Sequence, residues 1–140
     1  MIVIDTSVIY ALLDRRDRRH GEAVGWYEGI EDDLATTPLV LAEIDHLVGV
    51  RAGATARAAF HRDLAAGAYE VHWWIGAEQA CVEVAERYAD LGVGLADASL
   101  LALAARLETS AIATFDERRF RAMRPLDGTR ALQLLPLDSR

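Results

Sequence analysis

Lysine is absent from the chain of 140 residues, in which all 15 basic residues other than histidine are arginine. Without lysine there can be no GxxxxGK phosphate loop. Phosphate-receiving response-regulator domains and haloacid-dehalogenase-like phosphatases also rely on a lysine near an acidic strand end. The phosphatases fit badly for a second reason, since the residue two after Asp5 is Ser7 and not another aspartate. Cysteine is nearly absent. The single Cys81 excludes an internal disulfide and a Cys-rich zinc site, and its neighbours Ala77, Ala80, Val84 and Ala85 predict a packed core position. His20, His46, His61 and His72 lack the paired spacing of a zinc site. No apolar run reaches the ~20 residues needed to span a membrane. The start MIVID meets an aspartate with no basic segment before it, which argues against a signal peptide and for a cytoplasmic protein. Repeats, linkers and low-complexity tracts are missing too, so a single domain over residues 1–140 is expected, long enough at 52% hydrophobic content to bury a core.

Positive charge is outnumbered, with 22 acidic residues giving a formal net charge of −7. That balance argues at first against a nucleic-acid partner. The distribution says more than the sum. Four acidic residues, Asp5, Glu43, Asp97 and Asp116, sit in or directly after apolar segments: MIVI, LVLAEIDHLV, LADASLLALAARL and AIATF. A lone carboxylate is costly to bury there. Four that converge would raise one another's pKa values, which makes sense around a bound cation. Setting those four aside brings the charge to −3. Arginines bunch just downstream of two of them, at Arg15, Arg16, Arg18 and Arg19 and at Arg118, Arg119, Arg121 and Arg124. Arg15, Arg16, Arg118 and Arg119 are the candidates for phosphate contacts. Arg51, Arg57 and Arg62 read better as solvated helix residues.

Short apolar runs alternate with helical periodicity. Strands are expected at 2–4, 35–37, 69–72, 111–113 and 131–134. Helices are expected from a Thr6 or Ser7 cap to Leu13, over 18–30 despite Gly21, Gly25 and Gly29, from Pro38 through Glu43, and over 54–66, 77–89 and 95–107. This alternation implies an α/β fold with a largely parallel sheet covered on both faces. Asp5 and Asp116 then occupy strand ends, where open α/β sheets bind ligands. Glu43 falls on the helical stripe of Leu39, Val40, Leu47 and Val50 and is expected to face inward. Asp97 shares a face with Leu100, Leu101 and Ala104, in a first helical turn that favours its ionised form. Trp73 and Trp74, if on a strand, would point to opposite faces.

Taken together and in order, IVIDTSVIYALL, PLVLAEIDHLV, GLADASLLALAARL and TFDERRFRAMRP resemble the PIN domain, and specifically the VapC-type toxin ribonucleases of bacterial toxin–antitoxin pairs. The resemblance implies a three-layer α/β/α sandwich with a central, mostly parallel sheet of about five strands. It maps the family's acidic quartet onto Asp5, Glu43, Asp97 and Asp116, with Thr6 and Thr114 as supporting hydroxyls and Phe120 as a packing aromatic. An all-carboxylate site suits Mg²⁺ or Mn²⁺. The expected activity is therefore metal-dependent endoribonucleolytic cleavage by an activated water, with Asp5 and Asp97 the most direct ligands. The alternative is a PIN-fold RNA- or ribosome-binding module that does not cleave. The resemblance also implies a VapB-type antitoxin, an RNA substrate and a homodimer, with Val8, Leu12 and Trp26 on helices where an antitoxin could lie.

Overall fold

The computed structural model describes residues 1–128 and 131–139. Five strands form one all-parallel sheet: β1 (Ile2–Ile4), β2 (Leu34–Thr36), β3 (Glu70–Val71), β4 (Ala111–Ala113) and β5 (Gln133–Leu135), in the order β3-β2-β1-β4-β5. Among the described residues seven α-helices accompany them: α1 (Thr6–Leu13), α2 (His20–Gly29), α3 (Pro38–Arg51), α4 (Ala54–Ala65), α5 (Ala77–Arg87), α6 (Leu95–Arg106) and α7 (Glu117–Ala122). The arrangement is the α/β/α sandwich expected from the sequence.

β1 and β2 are buried at every position, as strands covered on both faces must be. α6 is nearly as enclosed, burying Ala98 to Ala104 without interruption between α5 and the central strands β1 and β4. On the other side α1 packs on α3, α2 on α1 and α4 on α3. α2 forms in spite of its glycines because it docks on α1, with Ala23 buried and Trp26 partly so. α3 begins where Thr37 accepts from Val40 N at 3.4 Å and Pro38 takes the first helical position. It ends at Arg51, and two residues on Gly53, with a φ of +93°, turns the chain into α4. Cys81 is buried as expected, and so is Val8, while Leu12 packs partly buried against the core.

The structure corrects several expectations. The position before α1 is Asp5, not Thr6 or Ser7, and its side chain makes no capping bond. α3 buries Val40, Ile44 and Val48, so the inward stripe is rotated from the expected one; Val50 is 70% exposed and Glu43 is exposed as well. β3 is a two-residue edge strand that stops before the tryptophans. Trp73 and Trp74 therefore do not alternate across a strand. Their ring centroids lie 6.0 Å apart, Trp73 is exposed, and Trp74 packs against the core beneath the guanidinium of Arg106. α7 was not expected at all.

The sheet order fixes where a site can form. From β1 the chain moves outward to β2 and β3, then returns to the other side of β1 for β4 and β5. The switch point thus lies between β1 and β4, and the crevice beyond their carboxyl ends is the place such sheets offer a ligand. Asp5 follows β1 directly, and Asp116 lies three residues after β4.

Candidate metal centre

A cleft of about 390 Å³ opens at this switch point, and all four acidic residues, Asp5, Glu43, Asp97 and Asp116, line it. They arrive from four elements: the end of β1, the middle of α3, the first turn of α6 and the start of α7. Their burial is graded. Asp5 is 5% exposed, the side chains of Asp97 and Asp116 are 15% and 32% exposed, and Glu43 lies at the open edge.

Two hydroxyls fix Asp5. Ser7 Oγ and Thr114 Oγ1 each donate to its Oδ2 at 2.8 Å. Ser7 also accepts from Phe115 N at 2.9 Å, and Thr114 accepts from Asp116 N at 3.0 Å. The same two side chains therefore tie the end of β1 to the turn that presents Asp116. Replacing Thr114 with valine removes these two bonds and a weaker one to Ser7 Oγ at 3.4 Å, and leaves the Asp116 N–H without that acceptor. It is expected to cost about 1–3 kcal/mol of stability in a urea titration; no loss would mean that the hydroxyl does not hold the turn.

The electrostatics are those of crowded carboxylates. Burial pushes Asp5 above the ordinary carboxylate range, more than its hydroxyl and backbone partners pull it down. Asp97 is pushed up to about 6, first by burial and then by the charge of Asp5, with smaller contributions from Glu43 and Asp116; Arg119 works in the opposite sense. Burial and like charge thus outweigh the favourable helix N-terminus expected for Asp97. Between 3.8, the ordinary aspartate value, and about 6, Asp97 keeps its proton in the folded chain and loses it in the unfolded one. The folded state holds more protons in that window, so stability falls as pH rises through it. Asp45, held at about 2 chiefly by Arg57 and then by His61, has the opposite sign and acts below the window. In EDTA the melting temperature is expected to be higher at about pH 5 than at about pH 7.5, with the difference reduced in Asp97→Asn. A wild-type melting temperature that climbs over that interval would contradict this assignment.

The donor set suits a hard divalent cation, being composed of carboxylate oxygens. Thr6 Oγ1 is buried at the cleft with no hydrogen-bond partner, the kind of atom a bound ligand or its water satisfies. Among the described residues no three His, Cys, Asp or Glu side chains already stand as a metal-ligand group. The cation in contact with the quartet is instead Arg119, whose Nη1 lies 3.2 Å from Asp97 Oδ2 and 3.5 Å from Asp116 Oδ2.

Of the four candidate phosphate-binding arginines, Arg119 alone lines this cleft. Arg15 and Arg16 line a separate cavity of about 710 Å³ with Leu12, His20 and Arg62, and Arg118 is exposed outside both. Arg18, Arg19 and Arg51 stand at the acidic cleft in their place, with Tyr10 and Phe115. The Arg19 guanidinium lies 4.8 Å from the Phe115 ring centroid and 3.0 Å from Glu22. Ser7, Tyr10 and Phe115 escaped the sequence reading as site residues, whereas Arg18 and Arg19 belong to the first arginine cluster it singled out. The signal for Ser7 was its place two residues after Asp5, but its partners Thr114 and Phe115 are more than 100 positions away.

Comparison with known proteins agrees with this architecture. The PIN domain model matches residues 2–125. Over 130 residues the chain is 37% identical to ribonuclease VapC26 of Mycobacterium tuberculosis, covering 92% of this chain and 96% of that one. Among solved structures, M. tuberculosis VapC20, described as a sarcin-ricin loop cleaving toxin, superposes with a TM-score of 0.77 at 26% identity, over 83% of this chain and 90% of that one. FitAcB from Neisseria gonorrhoeae matches at a TM-score of 0.60 and 20% identity, over 84% and 88% of the two chains, a likeness of fold alone.

Proposed function

The chain belongs to the PIN-domain family, among its VapC-type ribonucleases, and from that premise we propose that it is the toxin of a toxin–antitoxin pair, an endoribonuclease that hydrolyses RNA phosphodiester bonds at the Asp5–Glu43–Asp97–Asp116 cleft with bound Mg²⁺ or Mn²⁺. The observation that carries this reading is the convergence of the four carboxylates at the switch point of the sheet, with Asp97 raised to about 6 by burial and by its acidic neighbours.

Asp5 and Asp97, the two most buried, would hold the ion most directly, with Glu43 and Asp116 as the further carboxylates that would complete the set. When bound, the ion neutralises charge on the phosphate and makes water acidic enough to act as a nucleophile near neutral pH. The chain's own groups do the rest. Ser7 and Thr114 keep the Asp5 carboxylate in one orientation. Glu43 or Asp116 positions the attacking water and takes its proton at a carboxylate oxygen. The water oxygen bonds to phosphorus, one P–O ester bond breaks, and the leaving oxygen takes up a proton. Arg18 and Arg51 line the cleft where flanking phosphates would lie, and Tyr10 lines it where an unpaired base would stack.

Among the described residues no helix is long and apolar enough to cross a membrane. The proposed partners are RNA, a VapB-type antitoxin and a second copy of the chain, and the proposed site of action is the cytoplasm. The test is cleavage of total cellular RNA by purified, antitoxin-free protein, with and without divalent ion, sequencing every new end. Discrete cuts that vanish in EDTA and return with Mg²⁺ or Mn²⁺ are expected. The sarcin-ricin loop is the first site to inspect, because VapC20 is described as a sarcin-ricin loop cleaving toxin. Cutting that survives EDTA would overturn the metal mechanism. RNA binding without any cut would favour the non-cleaving module.

A further inference from the structure

Among the described residues, Arg119 is the basic side chain that ion-pairs with the acidic quartet, and it engages two of the four members. Its backbone and side chain act on the same carboxylate. Asp116 Oδ1 accepts from Arg119 N at 3.2 Å, which starts α7, and the guanidinium of the same residue folds back to Asp116 Oδ2. Both oxygens of Asp116, and Oδ2 of Asp97, are thereby occupied by one residue. No ion pair reaches Asp5 or Glu43 among the described residues. The Arg119 side chain is 42% exposed, so it can leave for solvent without crossing the core.

We infer that Arg119 is a built-in counter-cation that holds the Asp97–Asp116 side of the cleft against a divalent ion and must swing out before that ion is fully bound. This rests on the proposal that the cleft binds such an ion. Two effects make the guanidinium a competitor. It occupies carboxylate oxygens that the ion needs, and if it stays nearby it repels the ion across a few ångströms of partly screened medium. Its presence also lets the chain fold with four carboxylates at one point before any metal arrives, since an uncompensated cluster would be costlier. Arg119 thus trades affinity for the ion against tolerance of the empty cluster.

The test is Mn²⁺ binding without RNA, read from the loss of the free-ion electron paramagnetic resonance signal at about pH 8, where the raised Asp97 carboxyl is ionised and protons no longer compete. The proteins are wild type, Arg119→Gln, Arg119→Met and the charge-keeping Arg119→Lys. Each variant keeps the backbone N–H that Asp116 accepts, and circular dichroism checks the fold. Both neutral variants are expected to bind Mn²⁺ about tenfold more tightly than wild type, with Arg119→Lys within about threefold of it. A merely structural role for Arg119 would not tighten metal binding. Saturable binding by the wild type with equal or weaker binding by the neutral variants would overturn the counter-cation role and leave the nuclease reading intact. No saturable binding by the wild type or by either neutral variant would overturn both.

Discussion

Asp97→Asn is expected to lower the RNA cleavage rate by about 10³-fold or more while leaving the protein folded, a loss equivalent to about 4 kcal/mol of transition-state stabilisation. Asparagine matches aspartate in shape, so the first turn of α6 and the packing of Ala98 to Ala104 have no reason to change. The change removes the charge with which Asp97 would hold a divalent ion. It also removes the cost of burying a charged carboxylate and then the repulsion from Asp5, Glu43 and Asp116, which together raise the Asp97 carboxyl to about 6. Activity and stability should therefore part company: in EDTA near neutral pH the variant should melt no lower than wild type, and it should gain less from added Mn²⁺. Cleavage within about tenfold of wild type would remove Asp97 from the machinery.

The second large effect is on stability. Phe120 is fully buried, and it is the one buried residue of α7, the six-residue helix whose N-terminal boundary is Asp116 and whose third residue is Arg119. So short a helix has little stability of its own and depends on its anchor. Truncating Phe120 to alanine is expected to cost about 3–5 kcal/mol, through lost apolar burial and the cavity left behind. For a domain of this size that lowers the melting temperature by roughly 10 °C. Cleavage should fall as well, because α7 positions both Asp116 and the guanidinium that faces Asp97. A wild-type melting temperature would show that α7 is held by something other than its aromatic residue.

These two positions differ in how far the sequence announced them. Asp5, Asp97 and Asp116 were legible because each punctuates an apolar segment whose strand or helix forms as expected, and sheet topology then carries them to one crevice. Glu43 was found for a partly mistaken reason. α3 carries apolar residues around most of its circumference, so periodicity alone could not pick its buried face; packing against α1, α4 and α6 selects Val40, Ile44 and Val48, leaving Glu43 at the cleft edge. α7 was invisible because ERRFRA has one large apolar residue in six and no period to read; its helix depends on the Asp116 cap and the burial of Phe120. The arginines show the same limit. Proximity in sequence pointed to the cluster from Arg15 to Arg19 but could not divide it: the turn after α1 delivers Arg18 and Arg19 to the cleft and Arg15 and Arg16 to a separate cavity, and the end of α3 brings Arg51 from more than 30 residues away.

The proposed function rests on a divalent-metal site formed by the four carboxylates. Its most direct test is anomalous diffraction from crystals of the cleavage-competent protein grown or soaked with Mn²⁺, collected in parallel from Asp97→Asn. An anomalous peak is expected within ligand distance of Asp5 and Asp97 at the end of β1, weakened or lost in the variant. A peak bound elsewhere, or no peak in protein that cleaves RNA under the same Mn²⁺ concentration, would contradict it.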